Sequence, residues 1–546
     1  MKKELTVLIM VFLFAFSYPA GAEQPQFILI HLDAIAASDF YRELEAGNLP
    51  ATEKIFSQEG AFLTGLAPFP GGTQMIVSRM KTGYSSRVGE PVGWGVYDQE
   101  RDRITGKPTV FFQYVPEVLR RARGCLINIY PIMEFQAWFS LYNLPELLQT
   151  YNVLEFYWYT TDFLGHYFGE GPHNRSIHRF DFWLGQMADR LDWDRVNLVI
   201  YGDHGMSFSG LERINFPGLV QDVVGDKIHG QRYPNIFVRE EASPAEVAWI
   251  LGTQEEICLA FYREGEDLVV GFHQGGEIKI QENERGELKY SFTGSDYFGY
   301  YAAGYGGEYL DPGQWLNRTF SLDYPAAPVN IFNLVQNPAS GEVITVVNPP
   351  RIPADPIATR FPIKNLGGVN HTGLYHTDLL VPVLLRGPEL EHLYQEDAVW
   401  LHELYGSIPA LDFSNPTPSR ELHSFQLALD SEGERSKPGF SITLSPAYRW
   451  KTGFQYREEE WLASLSYDIF SSYLLRIWLG AGISFQDGNP GLHVLPEVDL
   501  RVGPFLLNWD VGLGDRPQQL ALGIEFGQEL HFWWQLPGEI GVGINW

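Results

Sequence analysis

The hydrophobic pattern of the chain changes near residue 423, and this change constrains the fold more than any other sequence feature. Before it, apolar residues form short, nearly continuous runs, such as Phe27 to Leu32 and Asn197 to Tyr201. After it, apolar residues alternate with polar or small ones, as in Leu520 to Gly527. Continuous runs suit strands buried on both faces, whereas alternation suits strands with one buried face. A chain of 546 residues also exceeds what one hydrophobic core usually serves, so we expect two or three domains.

The first part of the chain predicts an α/β domain, a sheet flanked by helices, over residues 23–410. Strand-like runs alternate with helical spacing from about residue 26 to 208, and Ser176 to Leu191 is one expected helix. Residues 210–360 interrupt this alternation with Gly-rich, polar sequence of mixed type, which indicates an inserted α+β subdomain or cap. The alternation then resumes with the strand-like run Leu379 to Leu385.

Residues 423–546 predict an all-β domain. Roughly eight alternating segments of about ten residues each, separated by turn signals, fit a small antiparallel barrel. A soluble β-sandwich would give the same alternation, because each of its sheets also buries one face. Trp and Tyr near the strand ends, and a last strand that stops at Trp546, favour an outer-membrane-type barrel. Residues 411–422, which include Asn415-Pro416-Thr417-Pro418-Ser419, form the expected linker.

The N-terminus predicts export. Lys2 and Lys3 precede an apolar stretch from Leu5 to Phe16, and Ala20-Gly21-Ala22 supplies a small-x-small cleavage site. The apolar stretch is too short to span a bilayer as a helix, so we interpret residues 1–22 as a secretory signal peptide. The expected destination is the periplasm or cell envelope of a bacterium. Of the two cysteines, Cys125 and Cys258, the sequence cannot show whether they meet.

The formal charge of −28 argues against nucleic acid as a partner. Binding a phosphate backbone requires Lys and Arg side chains that replace its counterions, and here acidic residues outnumber basic ones by 67 to 39. We interpret the acidity as a solvated surface.

Four separated segments place metal-ligand residue types next to apolar strands. Ligands gather at the carboxyl ends of strands in open α/β sheets, so these segments can converge. Carboxylates and imidazoles suit zinc or a similar divalent metal. The residues are Asp33; Asp162 and His166; Asp203 and His204; and, before a later strand, His371 and His376.

As a set, these segments resemble the alkaline phosphatase superfamily, and most closely its nucleotide pyrophosphatase/phosphodiesterase branch. The resemblance covers about residues 26 to 410, with 210–360 matched only loosely. The matching motifs are Asp-x-x-x-His at Asp162 and His166, with Gly169 following; Asp-His-Gly-Met at Asp203 to Met206; Phe-Pro-x-x-Thr with a later Thr-Gly at Phe69, Pro70, Thr73, Thr82 and Gly83; and a His before Val381-Pro382-Val383 at His371.

The resemblance implies a catalytic site with two divalent metal ions, for which zinc is the expected identity. One ion would be held by Asp162, His166 and the C-terminal His, and the other by three residues, Asp33, Asp203 and His204. Thr73 would lie at the second ion as the nucleophile. A threonine hydroxyl is a poor nucleophile near neutral pH, and a divalent cation lowers its pKa. The implied reaction passes through a phospho-threonine that water then hydrolyses.

Two features depart from the family pattern. The last ligand is ambiguous, because His371-Thr372-Gly373 and His376-Thr377 both look suitable, although the spacing to Val381-Pro382 favours His371. The branch also places an Asn near the phosphoryl oxygen, and Trp94 occupies that position here. A backbone N–H near Gly72 or Thr73 could replace the missing donor, but a nucleotide substrate becomes doubtful.

The leading functional hypothesis is an exported phosphodiesterase or phosphomonoesterase, tethered to the outer membrane by its C-terminal domain. Its substrate would be a small phosphate ester, of lipid or nucleotide origin. A sulfatase or phosphonate hydrolase of the same superfamily is the second hypothesis, and it ranks lower because no Cys stands near Thr73. The third is a non-catalytic envelope protein on an enzyme scaffold, and the full ligand set argues against it.

Overall fold

The structure, a computed structural model, describes residues 25–89, 92–93, 96–98, 103–105, 134–148, 152–208, 212–353, 371, 373–411 and the C-terminal strands given below. The chain divides into two compact units. The larger unit comprises Leu29–Arg121 and Tyr157–Leu411, and the other includes Asp412–Trp546. The expected signal peptide, Trp94 and Cys125 lie outside the described residues, as does nearly all of the expected linker. The predictions that concern them therefore stay predictions.

The described residues up to Leu411 form both strands and helices, and the described residues after it form strands. The strands are β1 (Gln26–Leu32), β2 (Gly60–Leu66), β3 (Val96–Asp98), β4 (Arg103–Thr105), β5 (Val153–Trp158), β6 (Val196–Gly202), β7 (Glu212–Ile214), β8 (Ile228–Arg232), β9 (Asn235–Val238), β10 (Leu259–Arg263), β11 (Leu268–His273), β12 (Gly276–Glu282), β13 (Leu288–Gly294), β14 (Val343–Val346), β15 (Arg351–Pro353), β16 (Leu380–Arg386) and β17 (Ala398–Trp400).

Helices pack around these strands. Within the described residues, no helix is both long enough and apolar enough to cross a membrane. The α-helices are α1 (Ala37–Glu45), α2 (Pro50–Phe56), α3 (Thr73–Thr82), α4 (Glu134–Tyr142), α5 (Leu144–Leu147), α6 (Thr160–Phe168), α7 (Glu170–Ala188), α8 (Phe216–Val224), α9 (Pro244–Gly252), α10 (Pro312–Thr319), α11 (Ala327–Gln336), α12 (His376–Leu379) and α13 (Leu401–Leu404).

A six-stranded mixed sheet with the order β17-β2-β16-β6-β1-β5 forms the centre of the α/β part. All seven residues of β6 are buried, and so are six of the seven residues of β1. Such burial requires cover on both faces, which is why the apolar runs in the sequence are nearly continuous. The predicted α/β class, with a central sheet flanked by helices, is confirmed. The expected helix Ser176 to Leu191 corresponds to α7, which begins earlier, at Glu170, and ends at Ala188.

β16 runs in the opposite direction to its two neighbours in the main sheet, β2 and β6. The segment before β16 therefore lies at the edge of the sheet where β2 and β6 end. β16 pairs antiparallel with both β2 and β6, and its first residue, Leu380, lies opposite Leu66, the last residue of β2. The start of β16 therefore lies beside the carboxyl ends of its two neighbours. Residues that precede β16 and residues that follow β2 or β6 can meet at this edge.

The region 210–360 contains a second sheet with the order β13-β12-β11-β10-β14-β9-β8, in which every neighbouring pair is antiparallel. Helices α8 and α9 pack against it around buried Val220, Val247 and Leu251. Mixed α and β structure was expected for this region, and the described residues have it. A short parallel pair, β7 with β15, lies at the two ends of the region.

The C-terminal part consists of strands, each paired antiparallel with the next, and the first pairs with the last along Ser424–Asp430 and Glu539–Asn545. Ten strands are described, whereas the sequence pattern indicated roughly eight, because alternation alone does not mark where one strand ends and the next begins. Whether they form an outer-membrane barrel stays a prediction. The strands are β18 (Ser424–Asp430), β19 (Lys437–Ala447), β20 (Trp450–Arg457), β21 (Glu460–Ser471), β22 (Leu475–Gln486), β23 (Asn489–Val502), β24 (Phe505–Asp510), β25 (Gln519–Phe526), β26 (Leu530–Leu536) and β27 (Glu539–Asn545).

A buried carboxylate joins two helices beside the main sheet. Asp181, in the middle of α7, accepts hydrogen bonds from the backbone N–H groups of Ala51 (3.1 Å) and Thr52 (2.8 Å). These groups belong to the first turn of α2, where N–H groups have no acceptor inside the helix. The side chain of Asp181 thus caps the N-terminus of α2, a role that usually belongs to the residue just before a helix.

We predict that Asp181→Ala lowers the free energy of unfolding by about 2 kcal/mol, because it leaves two N–H groups of α2 without acceptors. Chemical denaturation of the purified protein measures this change. Asp189→Ala is the matched control: Asp189 follows α7, is exposed, and pairs with exposed Lys54, so its loss costs less than about 1 kcal/mol. Equal losses for the two variants would contradict this account of Asp181.

Candidate metal centre

Five loops and helix ends of the larger unit meet at the edge of the main sheet where β2 and β6 end and β16 begins. Asp33 follows β1, and Asp203 and His204 follow β6 directly. Asp162 and His166 lie on α6, which follows β5, and His371 lies in the segment before β16. The structure therefore brings together the residues that the sequence motifs marked, although they are spread over more than 300 positions.

The first group of metal-ligand atoms comes from Asp162, His166 and His371, whose ligand atoms lie within 4.8 Å of one another. Asp162 and His166 are four residues apart on α6, so both project from the same face of the helix. His166 Nε2 is 3.1 Å from Asp162 Oδ1 and 3.2 Å from His371 Nε2. Two imidazoles and a carboxylate converge on one point.

The second group surrounds Asp33 and the Asp203-His204 pair. His204 Nε2 lies 3.5 Å from Asp33 Oδ1 and 3.4 Å from Asp203 Oδ2, and all three side chains are buried. Asp33, Asp162 and His204 also form a group whose ligand atoms lie within 4.8 Å of one another, so the two sets adjoin.

Thr73 lies at the second group. Its Oγ1 is 3.4 Å from Asp33 Oδ1 and 3.3 Å from His204 Nε2. Thr73 is also the first residue of α3, and Gly72 precedes the helix in an extended conformation. The hydroxyl is therefore fixed at the positive end of a helix, next to two of the ligand-type side chains.

Two of the imidazoles have a fixed tautomer. His204 Nδ1 is 3.0 Å from the carbonyl oxygen of Gly205, and His371 Nδ1 is 3.2 Å from the carbonyl oxygen of Gly71. A carbonyl oxygen only accepts, so each Nδ1 carries the proton and donates it. The lone pair of each ring is then on Nε2, the atom that faces the group, which is the arrangement found in metal-binding histidines.

Hydrogen bonds from neighbouring groups also orient the carboxylates of the second group. Asp203 Oδ1 accepts hydrogen bonds from the backbone N–H groups of Ala34 (3.1 Å) and His204 (2.9 Å). Tyr157 donates its hydroxyl hydrogen to Asp33 Oδ2. One oxygen of each carboxylate is thereby occupied, and the other, Asp203 Oδ2 or Asp33 Oδ1, faces the centre of the group.

The acid–base equilibria of these side chains reflect crowding of like charges. Burial, together with the negative charges of Asp203 and Asp162, raises the pKa of Asp33 well above its usual range. Burial alone would also raise the pKa of Asp162, but the neighbouring imidazoles, His166 first, outweigh it and lower that pKa to about 2. Burial and the charges of His204 and His166 lower the pKa of His371 to about 3. His371 is therefore neutral at physiological pH, as a metal ligand must be, and a cation bound beside Asp33 would favour the ionised form of that carboxyl.

Three buried atoms of the site lie 3.1–3.3 Å from another ligand-type side chain but make no hydrogen bond of good geometry within the part of the chain that the structure describes. They are Asp162 Oδ1, Asp203 Oδ2 and His31 Nε2. A buried polar atom left without a partner costs about 1–3 kcal/mol, so native proteins keep few of them. All three face the ligand groups, and carboxylate oxygens and imidazole nitrogens are the donors that zinc and similar divalent ions bind. The residues present therefore fit divalent metal ions.

Asp378 joins the two loops that carry the histidines His204 and His371. Its carboxylate accepts hydrogen bonds from the backbone N–H of Gly373 (2.7 Å) and from Ser207 Oγ (3.0 Å), and its carbonyl oxygen accepts from the N–H of Gly205 (2.9 Å). Burial raises the pKa of Asp378 to about 7. These bonds hold the two imidazoles in a stack, with ring centroids 3.8 Å apart.

The structure separates the two histidines that the sequence left as alternatives. His371 lies with Asp162 and His166, whereas the backbone N–H of His376 donates to the carbonyl oxygen of Asp323 (2.8 Å) and its ring faces the Asp323 carboxylate. Cys258 forms no disulfide with any residue that the structure describes, and Cys125 lies outside those residues.

The motifs missed His31 and Tyr157, which also contact the second group. His31 had a sequence signal that we did not use: it is a polar residue inside an otherwise apolar run, two positions before Asp33, on the same side of the strand. Tyr157 had none, because a tyrosine in a strand is ordinary.

Comparison with known protein families supports the motif assignment. The family model described as type I phosphodiesterase / nucleotide pyrophosphatase matches residues 109–220, a segment that contains Asp162, His166, Asp203 and His204. This family is part of the alkaline phosphatase superfamily, so the predicted resemblance is confirmed. The family's activity is phosphate-ester hydrolysis, and its members are typically metal-dependent. No curated protein matches the chain.

We predict that Gly205→Ala weakens zinc binding, because a methyl group at this position would overlap the carbonyl oxygen of Thr377 and push the two histidine loops apart. Isothermal titration of the metal-free protein measures the affinity, which we expect to fall by about tenfold or more. Gly171→Ala is the control, since the nearest atom to its methyl group would be Arg175 Nη1 at 3.6 Å, an ordinary contact. Unchanged zinc affinity in Gly205→Ala would show that the contact between the loops does not orient the ligands.

Proposed function

We propose that this chain is an exported two-metal phosphate-ester hydrolase in which Thr73 is the nucleophile. The observation that carries the proposal is the position of Thr73 Oγ1, in contact with both Asp33 Oδ1 and His204 Nε2 at the start of α3. A threonine that served only the fold would be expected to bond backbone or solvent, not two buried ligand-type side chains.

The two groups of side chains would hold one ion each. Asp162, His166 and His371 make up the first set, and Asp33, Asp203 and His204 the second. The mixed donor set of carboxylates and imidazoles supports zinc as the ion. The contact between the sets through Asp33, Asp162 and His204 supports two ions close together, as in enzymes that stabilise both the attacking and the leaving oxygen.

Thr73 needs help to react, since an alcohol is almost fully protonated at neutral pH. Divalent ions bound here would lower the pKa of the hydroxyl and neutralise charge on the phosphoryl oxygens. The protein itself supplies orientation: Asp33 and His204 hold Oγ1 in place, and the first turn of α3 points N–H groups toward an incoming anion. These N–H groups could replace the Asn that the family uses near the phosphoryl oxygen.

The proposed reaction has two stages. Thr73 Oγ1 attacks phosphorus opposite the leaving group, the bond between phosphorus and the leaving oxygen breaks, and phospho-threonine forms. Water then attacks the same phosphorus from the vacated side, which releases phosphate or a phosphomonoester and restores the threonine. Both stages are in-line displacements, so the same side chains serve each of them.

The substrate proposed is a small phosphate mono- or diester of lipid or nucleotide origin. The family match supports a phosphate ester. Trp94 in place of the expected Asn weakens the case for a nucleotide, because the side-chain donor that nucleotide-cleaving relatives use would be missing.

We further propose that the enzyme is exported and attached to the outer membrane by its C-terminal strands. The lysine-led apolar stretch before Ala22 supports export. The alternating pattern of residues 423–546 and the antiparallel pairing of each strand with the next support a membrane barrel. The catalytic part would then lie on the periplasmic side.

We predict that the mature protein hydrolyses p-nitrophenyl phosphate or bis-p-nitrophenyl phosphate in a zinc-dependent reaction, and that Thr73→Ala lowers kcat by about a thousandfold or more. Thr73→Ser is the matched control, since it keeps a hydroxyl at the same position and should retain measurable turnover. Steady-state assays with zinc, and after treatment with a chelator, measure both effects.

Three other outcomes would contradict the proposal in different ways. Turnover of p-nitrophenyl sulfate or a phosphonate ester in preference to both phosphates would favour the sulfatase or phosphonate-hydrolase alternative. Full activity in Thr73→Ala would remove Thr73 from the mechanism. Zinc binding without turnover of any ester would support a non-catalytic envelope protein.

A second prediction separates the two C-terminal histidines. We expect His371→Ala to lower zinc affinity and kcat by at least about 100-fold, since it removes an imidazole from the first group. His376→Ala, at a histidine that faces Asp323 instead, should leave both quantities unchanged. The reverse pattern would assign the ligand role to His376.

The location of the protein can be tested by fractionation of bacterial cells that express the full chain. We expect the protein in the outer-membrane fraction, and a variant that lacks residues 2–22 in the cytosol, because the signal peptide is needed for export. Recovery of the intact, exported protein in the soluble periplasmic fraction would contradict membrane attachment and favour a soluble β-sandwich.

A further inference from the structure

His31 is a buried histidine that neither the motifs nor the family assignment includes in the metal site. It lies in β1, two residues before Asp33, and only 6% of its surface is exposed. Side chains two positions apart on a strand point to the same face, so His31 and Asp33 project toward the same side of the sheet. His31 therefore reaches the second group from the strand itself, whereas the other members reach it from loops.

The nitrogen Nε2 of His31 points at the second group. It lies 3.3 Å from Asp203 Oδ2, and Asp33, Asp203 and His31 form a set whose ligand atoms lie within 4.8 Å of one another. Neither His31 Nε2 nor Asp203 Oδ2 has a hydrogen-bond partner of good geometry within the described residues. Both atoms are thus buried and aimed at one point, and their mutual contact is too poorly aligned to satisfy either of them fully.

The ring of His31 is held in this orientation by aromatic neighbours. Its centroid is 4.4 Å from that of Tyr157 and 5.2 Å from that of Tyr201, and the ring of Tyr201 is stacked on it with an interplanar angle of 17°. Tyr157 also donates its hydroxyl hydrogen to Asp33. The same tyrosine therefore positions both His31 and a member of the second group.

A histidine that only filled the core would be expected to satisfy its ring nitrogens with hydrogen bonds. His173 shows this alternative nearby: it is fully buried, its Nε2 contacts the carbonyl oxygen of Ala34 at 2.9 Å, and its Nδ1 contacts Asn174 Oδ1 at 3.0 Å. A divalent ion would satisfy His31 Nε2 and Asp203 Oδ2 together. Asp203 Oδ1 already accepts two backbone hydrogen bonds, so Oδ2 is the oxygen left for an ion.

We propose that His31 Nε2 is an additional protein ligand of the ion bound by Asp33, Asp203 and His204. This inference rests on the proposed metal site and extends it by one residue. The second set then has two carboxylates and two imidazoles, and Thr73 Oγ1 lies beside it as a fifth donor, within the range that zinc accepts when it expands its coordination.

The added ligand makes the two sites unequal. The first set has one carboxylate and the second has two, and His31 adds a fourth donor to the second without adding charge. More ligands and more negative charge hold a cation more strongly, so the ion next to Thr73 is bound more tightly than the other. On gradual removal by a chelator, the first set empties first.

NMR of the protein loaded with an NMR-active cadmium isotope, with isotope-labelled histidine, tests the proposal directly. A histidine nitrogen that binds cadmium shows a spin–spin coupling to the metal, so the spectrum counts the ligating imidazoles. We expect four coupled histidines in the wild type (His31, His166, His204 and His371) and three in His31→Gln. His376→Gln, the matched control at a histidine outside the site, should keep all four.

The glutamine at position 31 can still donate a hydrogen bond to Asp203 Oδ2, so it separates a ligand from a hydrogen-bonding neighbour. If His31 is a ligand, the His31→Gln variant binds the tighter of the two ions about tenfold or more weakly than the wild type does. Competition with a chelator measures this affinity. Three coupled histidines in the wild type, with two cadmium ions bound, would overturn the role of His31 and leave the proposed function intact. Failure of the wild type to bind cadmium or zinc would instead overturn the proposed function.

Discussion

Three carboxylates, those of Asp33, Asp162 and Asp203, are packed into one small, largely buried volume, and the rest of the site depends on how their charge is balanced. Two like charges about 4 Å apart repel by about 4 kcal/mol at an effective dielectric constant of about 20. Burial adds a desolvation cost for each ionised group. Burial, together with the negative charges of Asp203 and Asp162, accordingly raises the pKa of Asp33 well above its usual range. Divalent cations would offset this cost. The surrounding imidazoles point their Nε2 atoms at the same place and could bind such cations together with the carboxylates.

The scaffold meets this constraint by bringing short, rigid segments to one edge of the main sheet. Asp203 and His204 follow β6 without a break, and Thr73 begins α3 after the loop that follows β2. The reversed direction of β16 returns the chain to the same edge, so that His371, separated from His204 by the whole 210–360 region, stacks on it. A long insertion between two elements that meet in space is tolerated because the entropy of closing a loop grows slowly with its length. The insertion folds around its own sheet and core.

The sequence predicted the class of the main domain because its strands are buried on both faces, and buried strands leave an unmistakable apolar pattern. It also marked the ligand-type residues, because their order and their positions next to strands match a family pattern as a set, although each residue alone is a weak signal. It favoured His371 over His376 by spacing alone, since both precede β16 and the choice depends on which loop packs against Gly71 and Gly205. His31 was missed because one histidine within an apolar strand is compatible with a core position, and its closeness to Asp203 is visible only in the folded structure. The number of C-terminal strands was underestimated because the alternation of apolar and polar residues does not by itself mark where one strand ends and the next begins.

The most direct test of the central claim, that Thr73 attacks phosphorus at this site, is mass spectrometry of the wild-type protein quenched in acid during turnover of a phosphate ester. The account predicts a phosphoryl group on the peptide that contains Thr73, present with zinc and absent after zinc is removed by a chelator. Turnover at full rate without any phosphorylated Thr73, together with a phosphoryl group on another residue or with direct transfer to water, would contradict it.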